Sequence, residues 1–204
     1  MSAPPNLVVV KVGGSLYDHP RLGEGLRHFL NELRPAKTLI VAGGGPFADA
    51  VRDLDGWHIL GEKISHGLAM RTLEVAGSFL GHITFSGPRE WVYQLDWWDT
   101  ELGLPLILEP SHFVDQYEKC IGPVPHTWEF TTDSIAALAA KVANARLILL
   151  KSTDIPAGTP WPEAAARGWV DAYFPTAVAD ATFPIEAINF RKWLDERFPC
   201  GPAG

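Results

Sequence analysis

The sequence predicts an α/β domain built on a mainly parallel sheet. Three observations carry that expectation: apolar runs that stop at glycine, amphipathic segments that follow them, and their regular alternation. The first run, Leu7-Val8-Val9-Val10-Lys11-Val12, is apolar on both faces and halts at Gly13-Gly14, the pattern of a doubly buried strand. Residues 21–33 set Leu22, Leu26, Phe29, Leu30 and Leu33 at helical spacing, and Pro35 ends that helix. A second strand, Thr38-Leu39-Ile40-Val41-Ala42, breaks at Gly43-Gly44-Gly45-Pro46, and helix resumes through Phe47, Val51 and Leu54. Residues 62–82 read as a longer helix, and 105–108, starting at Pro105, as a short strand. Residues 134–144 form an alanine-rich helix that feeds a third buried strand, Leu147-Ile148-Leu149-Leu150-Lys151. Two tail segments, 162–167 and 185–197, read as helices. The stretch 87–110 has no clear period; its Trp91, Tyr93, Trp97 and Trp98 are expected to cover core or a subunit interface.

At 204 residues the chain fits one sizeable domain, and 47% apolar with 20% charged residues excludes a disordered tail. Acids outnumber lysine and arginine 24 to 17, which argues against nucleic acid as a partner, since phosphate contacts need a basic face. No uncharged apolar run approaches the ~20 residues that a bilayer span needs, so no membrane partner is expected. Met1-Ser2-Ala3-Pro4-Pro5 lacks a charged-then-apolar leader pattern, and Cys120 and Cys200 stand alone; a cytoplasmic location is the expectation.

Two lysines are the most informative residues. Lys11 and Lys151 each close an apolar strand, where an unpartnered ammonium costs several kcal/mol or loses its proton. Either one alone is explained by a side chain snorkelling to water. Together, at the carboxyl ends of parallel strands where ligands bind, they point to an anion. Gly13-Gly14-Ser15 and Gly43-Gly44-Gly45 follow two of the strands, and glycine lets backbone N–H groups approach a phosphate closely. The triple glycine also opens a helix, whose N-terminus favours negative charge. Neither a Walker A string nor a G-x-G-x-x-G fingerprint is present. Thr131-Thr132-Asp133-Ser134 precedes the alanine-rich helix; it is read either as a plain helix cap or as a carboxylate set between the two lysines. The second arrangement suits phosphoryl transfer, which needs fixed cations around the moving group.

In combination, K-x-G-G-S at Lys11 to Ser15, G-G-G-P-F at Gly43 to Phe47 and T-T-D-S-I-A-A at Thr131 to Ala137 resemble the amino acid kinase superfamily. That superfamily includes kinases of acetylglutamate, aspartate, glutamate, carbamate, uridylate and isopentenyl phosphate. The resemblance implies a three-layer αβα sandwich, ATP with Mg²⁺ carried on its phosphates, and a homodimer or higher homo-oligomer. It implies one domain over 1–204, with an acceptor-side lobe to about 125 and a shortened nucleotide-side lobe from 126. Lys11, Asp133 and Lys151 take the catalytic positions. Gly13, Gly14, Ser15, Thr153 and Asp154 lie on the nucleotide side, and Gly43, Gly44 and Gly45 on the acceptor side. Relatives carry a further lysine beyond the Thr153-Asp154 turn; here the only later one is Lys192, so the second catalytic lysine is either Lys151 or missing, and Lys151 is the expectation.

A narrower likeness, through Gly43 to Arg52, Ser65 to Met70 and Pro125 to Trp128, is to the small kinases of methanofuran biosynthesis. These resemble enzymes that phosphorylate (5-(aminomethyl)furan-3-yl)methyl phosphate to a diphosphate. On that reading Arg52 grips the acceptor's own phosphate, His66 and Met70 line its pocket, and Trp128 stacks on the furan ring. The plainer reading of His66 and Met70 is helix packing or a dimer contact, and His19 is expected as a solvated loop histidine. No His/Cys constellation predicts a protein-held metal, and no G-x-S-x-G elbow supports hydrolysis. A carboxylate or carbamate kinase, or a non-catalytic nucleotide- or oxyanion-binding protein, are the alternatives.

Overall fold

The computed structural model describes residues 6–99 and 106–198. Pro105, Cys200 and the opening pentapeptide lie outside the described residues. Six strands share one sheet: β1 (Leu7–Val12), β2 (Lys37–Ala42), β3 (Glu90–Val92), β4 (Leu106–Leu108), β5 (Arg146–Lys151) and β6 (Ile185–Asn189). Their order is β3-β4-β2-β1-β5-β6, and every pairing is parallel. The helices are α1 (Leu22–Glu32), α2 (Gly45–His58), α3 (Glu62–Thr84), α4 (Pro110–Cys120), α5 (Thr132–Ala143), α6 (Trp161–Ala166), α7 (Phe174–Ala177) and α8 (Phe190–Arg197).

Helices cover both faces, which is why the central strands are apolar throughout. Val8, Val10 and Val12 of β1 and Ile148 and Leu150 of β5 point into a core with Leu22 and Leu26 of α1 and Phe190 and Leu194 of α8. Val9 of β1 and Leu147 and Leu149 of β5 face the other way, against α5 and against Phe113, Ala164 and Phe174. Helix α3 serves both layers, giving Leu73 to one core and Ala76 and Leu80 to the other. The result is the expected αβα sandwich. Side chains alternate along a strand, so Lys11 shares the face of Val9, and Lys151 that of Leu149. Both lysines therefore project toward α5.

Boundaries follow local chemistry. Pro46 and Pro110 occupy first-turn positions of α2 and α4, where a missing N–H costs nothing. The Glu109 carboxylate caps α4 by accepting the N–H groups of Ser111 and His112. Asn144, at φ 48°, ends α5 in the left-handed conformation that asparagine tolerates. The tail departs from expectation: 185–189 is strand β6, and helix α8 begins only at Phe190. β6 completes the sheet by pairing with β5, from Leu147 opposite Ile185 to Lys151 opposite Asn189, and Asn189 then caps α8 through the Lys192 N–H. A short apolar run does not reveal such pairing. Within 87–110 the chain forms β3 and β4, and α4 follows; the sequence pattern anticipated neither β3 nor α4. Trp97 is fully buried, its indole N–H donating to the Ala139 carbonyl at 3.2 Å, and Trp98 packs on the same core.

Candidate active site

The carboxyl ends of β1, β2 and β5 meet at one place. The two glycine loops leave β1 and β2 by extending the sheet's hydrogen bonding: Gly13 N–H donates to Leu150 O and Gly43 N–H to Val12 O, each at 2.8 Å. The loops then press directly on one another. A Cβ on Gly14 would sit 2.1 Å from the Gly45 nitrogen, and one on Gly43 would sit 2.5 Å from the Gly14 nitrogen. Gly45 itself has φ +51°. These glycines are thus required by the contact between two backbones, a stronger constraint than the ligand approach read from the sequence. Tyr17 reinforces the contact by donating its hydroxyl proton to the Gly43 carbonyl at 2.5 Å, and burial raises its pKa.

Beneath the loops, Asp133 joins the two lysines. Lys11 Nζ lies 2.8 Å from its Oδ1, while Lys151 Nζ donates to Oδ1 at 2.7 Å and Oδ2 at 2.8 Å. All three residues are 5–7% exposed. Burial alone would raise the Asp133 pKa, but the charges and hydrogen bonds of Lys11 and Lys151 outweigh it and bring it to about 2. Burial lowers Lys151 to about 8, against the attraction of Asp133 and with the repulsion of Lys11. Asp133 is therefore a bridge between cations, whereas α5 is capped by other groups. Thr131 makes no side-chain cap of its own; Asp171, from the loop before α7, accepts the N–H groups of Thr131 and Ser134 instead.

A cleft opens above Lys11 between the glycine loops, α2, α3 and the segment entering α5. Gly14, Gly43, Gly44, Gly45, Arg52, His66, Met70 and Trp128 all line it. The Arg52 guanidinium lies 4.3 Å from the Trp128 ring centroid and 2.5 Å from Asp49 Oδ1. One face of Trp128 is thus already covered by a cation, which leaves only its other face for the stacking expected of it. The Trp128 N–H donates to Ser65 Oγ at 3.1 Å, fixing the ring's pitch. His66 Nε2 is 3.2 Å from the Phe130 carbonyl, which assigns the proton to that nitrogen. Burial lowers the His66 pKa and favours the neutral ring. Met70 belongs both to this wall and to the core beside it.

The nucleotide-side candidates stand across the loop. Ser15 Oγ is 2.8 Å from Ser152 Oγ, which joins the first glycine loop to the bend after β5. Thr153 and Asp154 are exposed on that bend. Lys192 is exposed on α8. His19 is not solvated: it is 8% exposed, with Nδ1 accepting the Arg21 N–H and Nε2 3.1 Å from Asp195 Oδ1. It fastens the loop to α8, as does Arg191, which donates to the Ser15 carbonyl at 2.6 Å and to Asp18 at 2.5 Å. Asp171, Tyr17 and Arg191 escaped the sequence reading because each acts on a partner remote in sequence. No three His, Cys, Asp or Glu side chains cluster to hold a metal among the described residues. Both Asp133 oxygens are engaged by ammonium groups, so a divalent cation fits here only as a guest of a ligand's phosphates.

No family model matches the chain. It is 28% identical over 148 residues to the (5-(aminomethyl)furan-3-yl)methyl phosphate kinase of Methanocaldococcus jannaschii, an overlap of 72% of this chain and 65% of that protein. The chain therefore aligns with somewhat under two thirds of the relative's length. Among solved structures it resembles uridylate kinase from Archaeoglobus fulgidus, with a TM-score of 0.64 at 14% identity over 90% of each chain. UMP kinase from Bacillus anthracis gives 0.61 at 14% identity, covering 92% of this chain and 88% of that one. Carbamate kinase from Giardia lamblia, solved with AMP-PNP, gives 0.53 at 14% identity over 96% of each. The chain shares the fold of these three kinases, a single parallel sheet with helices on both faces.

Proposed function

We propose that this chain is an ATP-dependent phosphotransferase whose acceptor is a small phosphate monoester. The observation that carries the reading is the convergence of Lys11 and Lys151 on Asp133 beneath two touching glycine loops. Phosphoryl transfer demands little covalent help from a protein; it needs cations fixed in advance around the equatorial oxygens. Asp133 keeps two mutually repelling ammonium groups within reach of one another before any phosphate arrives. An oxygen of the acceptor phosphate attacks the γ-phosphorus of ATP, the bond to the β–γ bridging oxygen breaks, and ADP leaves with that electron pair. The product is a diphosphate.

Acceptor and nucleotide take opposite sides. Lys11 and Arg52 line one cleft, so an acceptor already carrying a phosphate meets a cation at each end. The kinase from M. jannaschii, whose name specifies such a phosphate monoester, supports this choice. On the other side, Gly13 and Ser15, with Thr153 and Asp154 beyond β5, would receive the triphosphate, and Gly14, which also lines the acceptor cleft, would stand between the two sides. Mg²⁺ bound to that tail would neutralise part of its charge. The lobes at about 1–125 and 126–204 would supply most of the acceptor side and most of the nucleotide side respectively, with Gly13, Gly14 and Ser15 and with Trp128 crossing that division, and their strands share one sheet. No helix among the described residues is long and apolar enough to cross a membrane. A homo-oligomer remains part of the proposal, supported by the exposed apolar side chains Trp57, Ile59 and Ile64 around the α2–α3 turn.

The test incubates purified protein with ATP, Mg²⁺ and a panel of phosphate monoesters, amino acids and carbamate, following ADP release and ³¹P signals. A new diphosphate signal from a monoester supports the reading. Turnover of carboxylates or carbamate alone would replace the acceptor class, and tight ATP binding without turnover would remove the enzymatic reading.

A further inference from the structure

Asp171 has no place in the chemistry proposed so far, yet it is among the most heavily engaged carboxylates near the site. Its Oδ2 accepts the Thr131 N–H at 3.1 Å, the Thr131 hydroxyl at 2.8 Å and the Ser134 N–H at 2.9 Å. Its Oδ1 accepts the Ser134 hydroxyl. The four bonds therefore grip residues on both sides of Asp133. The loop that carries Asp171 is itself tied down, since Tyr173 N–H donates to Glu129 O at 2.9 Å and the Tyr173 ring meets Phe130 at 5.6 Å.

We propose that Asp171 is a positioning residue of the Lys11–Asp133–Lys151 cluster: it fixes the first turn of α5 so that Asp133 lies between both ammonium groups, and its charge balances the second of them. The inference rests on the kinase reading for its functional meaning but not for its geometry. A local serine or threonine cap would satisfy the helix end. Here the Thr131 and Ser134 side chains turn outward to Asp171 instead, making the turn depend on a distant loop. Charge adds a second argument. Two ammonium groups share one carboxylate, and Asp171 is the second carboxylate whose charge reaches Lys151. The charged groups acting on Lys151 are Asp133 from α5, Lys11 from β1 and Asp171 from the loop, and both carboxylates favour its protonated form. Burial raises the Asp171 pKa, as does the charge of Asp133, while the Thr131 and Ser134 bonds oppose both.

Two variants separate the two contributions. Asp171→Asn keeps the shape and an oxygen for the backbone N–H groups but drops the charge; Asp171→Ala drops both. The Lys151 ammonium is titrated by NMR in the substrate-free protein, assigned through Lys151→Arg, beside melting and steady-state rates. Asp171→Asn is expected to melt near the wild type while Lys151 releases its proton at lower pH, with the alkaline limb of the rate moving alongside. Asp171→Ala is expected to lower kcat about ten- to a hundredfold, with acceptor KM moved far less. An unchanged Lys151 titration in Asp171→Asn overturns the proposal and leaves Asp171 a helix cap alone. The titration needs no substrate, so absence of turnover by the wild type would count against the kinase reading without touching this result.

Discussion

Lys151 donates to both carboxylate oxygens of Asp133, at 2.7 and 2.8 Å, although eighteen positions separate the two in sequence. With Lys11 on the same Oδ1, the carboxylate neutralises half of the positive charge that it gathers. A buried arrangement of this kind is costly to build and costlier to break.

Removing the bridge should therefore be felt in stability as well as rate. Asp133→Asn strands two buried ammonium groups and is expected to cost about 3–5 kcal/mol, or roughly 6–20 °C in Tm at this chain length. Thermal melts of the purified variant decide it, and a wild-type Tm would show that the bridge contributes nothing to the fold.

The same cluster sets the response to pH. Burial lowers the Lys151 pKa to about 8, so the ammonium is the major form below that value, and kcat is expected to fall as pH rises through it. Asp133 is depressed from 3.8 to about 2, so its stabilisation is present above 3.8 and is lost as pH falls from there through about 2. The Lys151 contribution has the opposite sense: burying its charge costs stability below about 8, and that cost is relieved between about 8 and 10.5. A rate profile lacking an alkaline fall near 8 would take Lys151 out of the chemistry.

Gly14→Ala tests the contact between loops. Its Cβ would lie 2.1 Å from the nitrogen and 2.4 Å from the Cα of Gly45, and neither backbone atom swings away as a flexible side chain does. A loss of about 1–3 kcal/mol, together with weakened binding of both substrates, is the expected outcome. Denaturant titration with parallel binding measurements checks it; wild-type affinity for both substrates would mean the loops need not touch.

Arg52 is half-exposed and shared with Asp49 and Trp128. Arg52→Ala is expected to raise the acceptor KM about tenfold or more with little change in ATP KM, because a charge-assisted phosphate contact is lost. Asp49→Asn should move acceptor affinity the other way by releasing the guanidinium. Equal effects on both substrates would place Arg52 outside the acceptor site.

The first glycine loop is held from behind by Arg191. Arg191→Ala removes its bonds to Ser15 O and Asp18, and faster amide exchange is expected at Leu16 and Tyr17, whose N–H groups close the turn on Gly13 and Gly14. Global stability should change by less than about 1 kcal/mol, since the ion pair is largely exposed. Hydrogen exchange at those two amides measures it directly.

The central strands, helices α1, α2, α3 and α5 and both glycine loops were legible in the chain because local forces define them: β-branched runs, helical spacing and glycine breaks are all short-range signals. The lysines at the ends of β1 and β5 were legible for the same reason, since charge closing an apolar strand is conspicuous. Strand β6 was not legible, because 185–189 becomes a strand by pairing with β5 rather than through a pattern of its own. Asp171 lay beyond reach altogether; nothing near Val170 or Ala172 signals a carboxylate that caps a helix beginning at Thr132. His19 read as solvated until α8 packed over it and brought Asp195 to its ring. Sequence by itself settled which residues must turn inward or break the chain, for those are one-dimensional properties. Tertiary structure alone decided which charges meet, because a hydrogen bond is made in space, and the helix, loop and strand that meet at Asp133 are brought together only by the closing of the sheet.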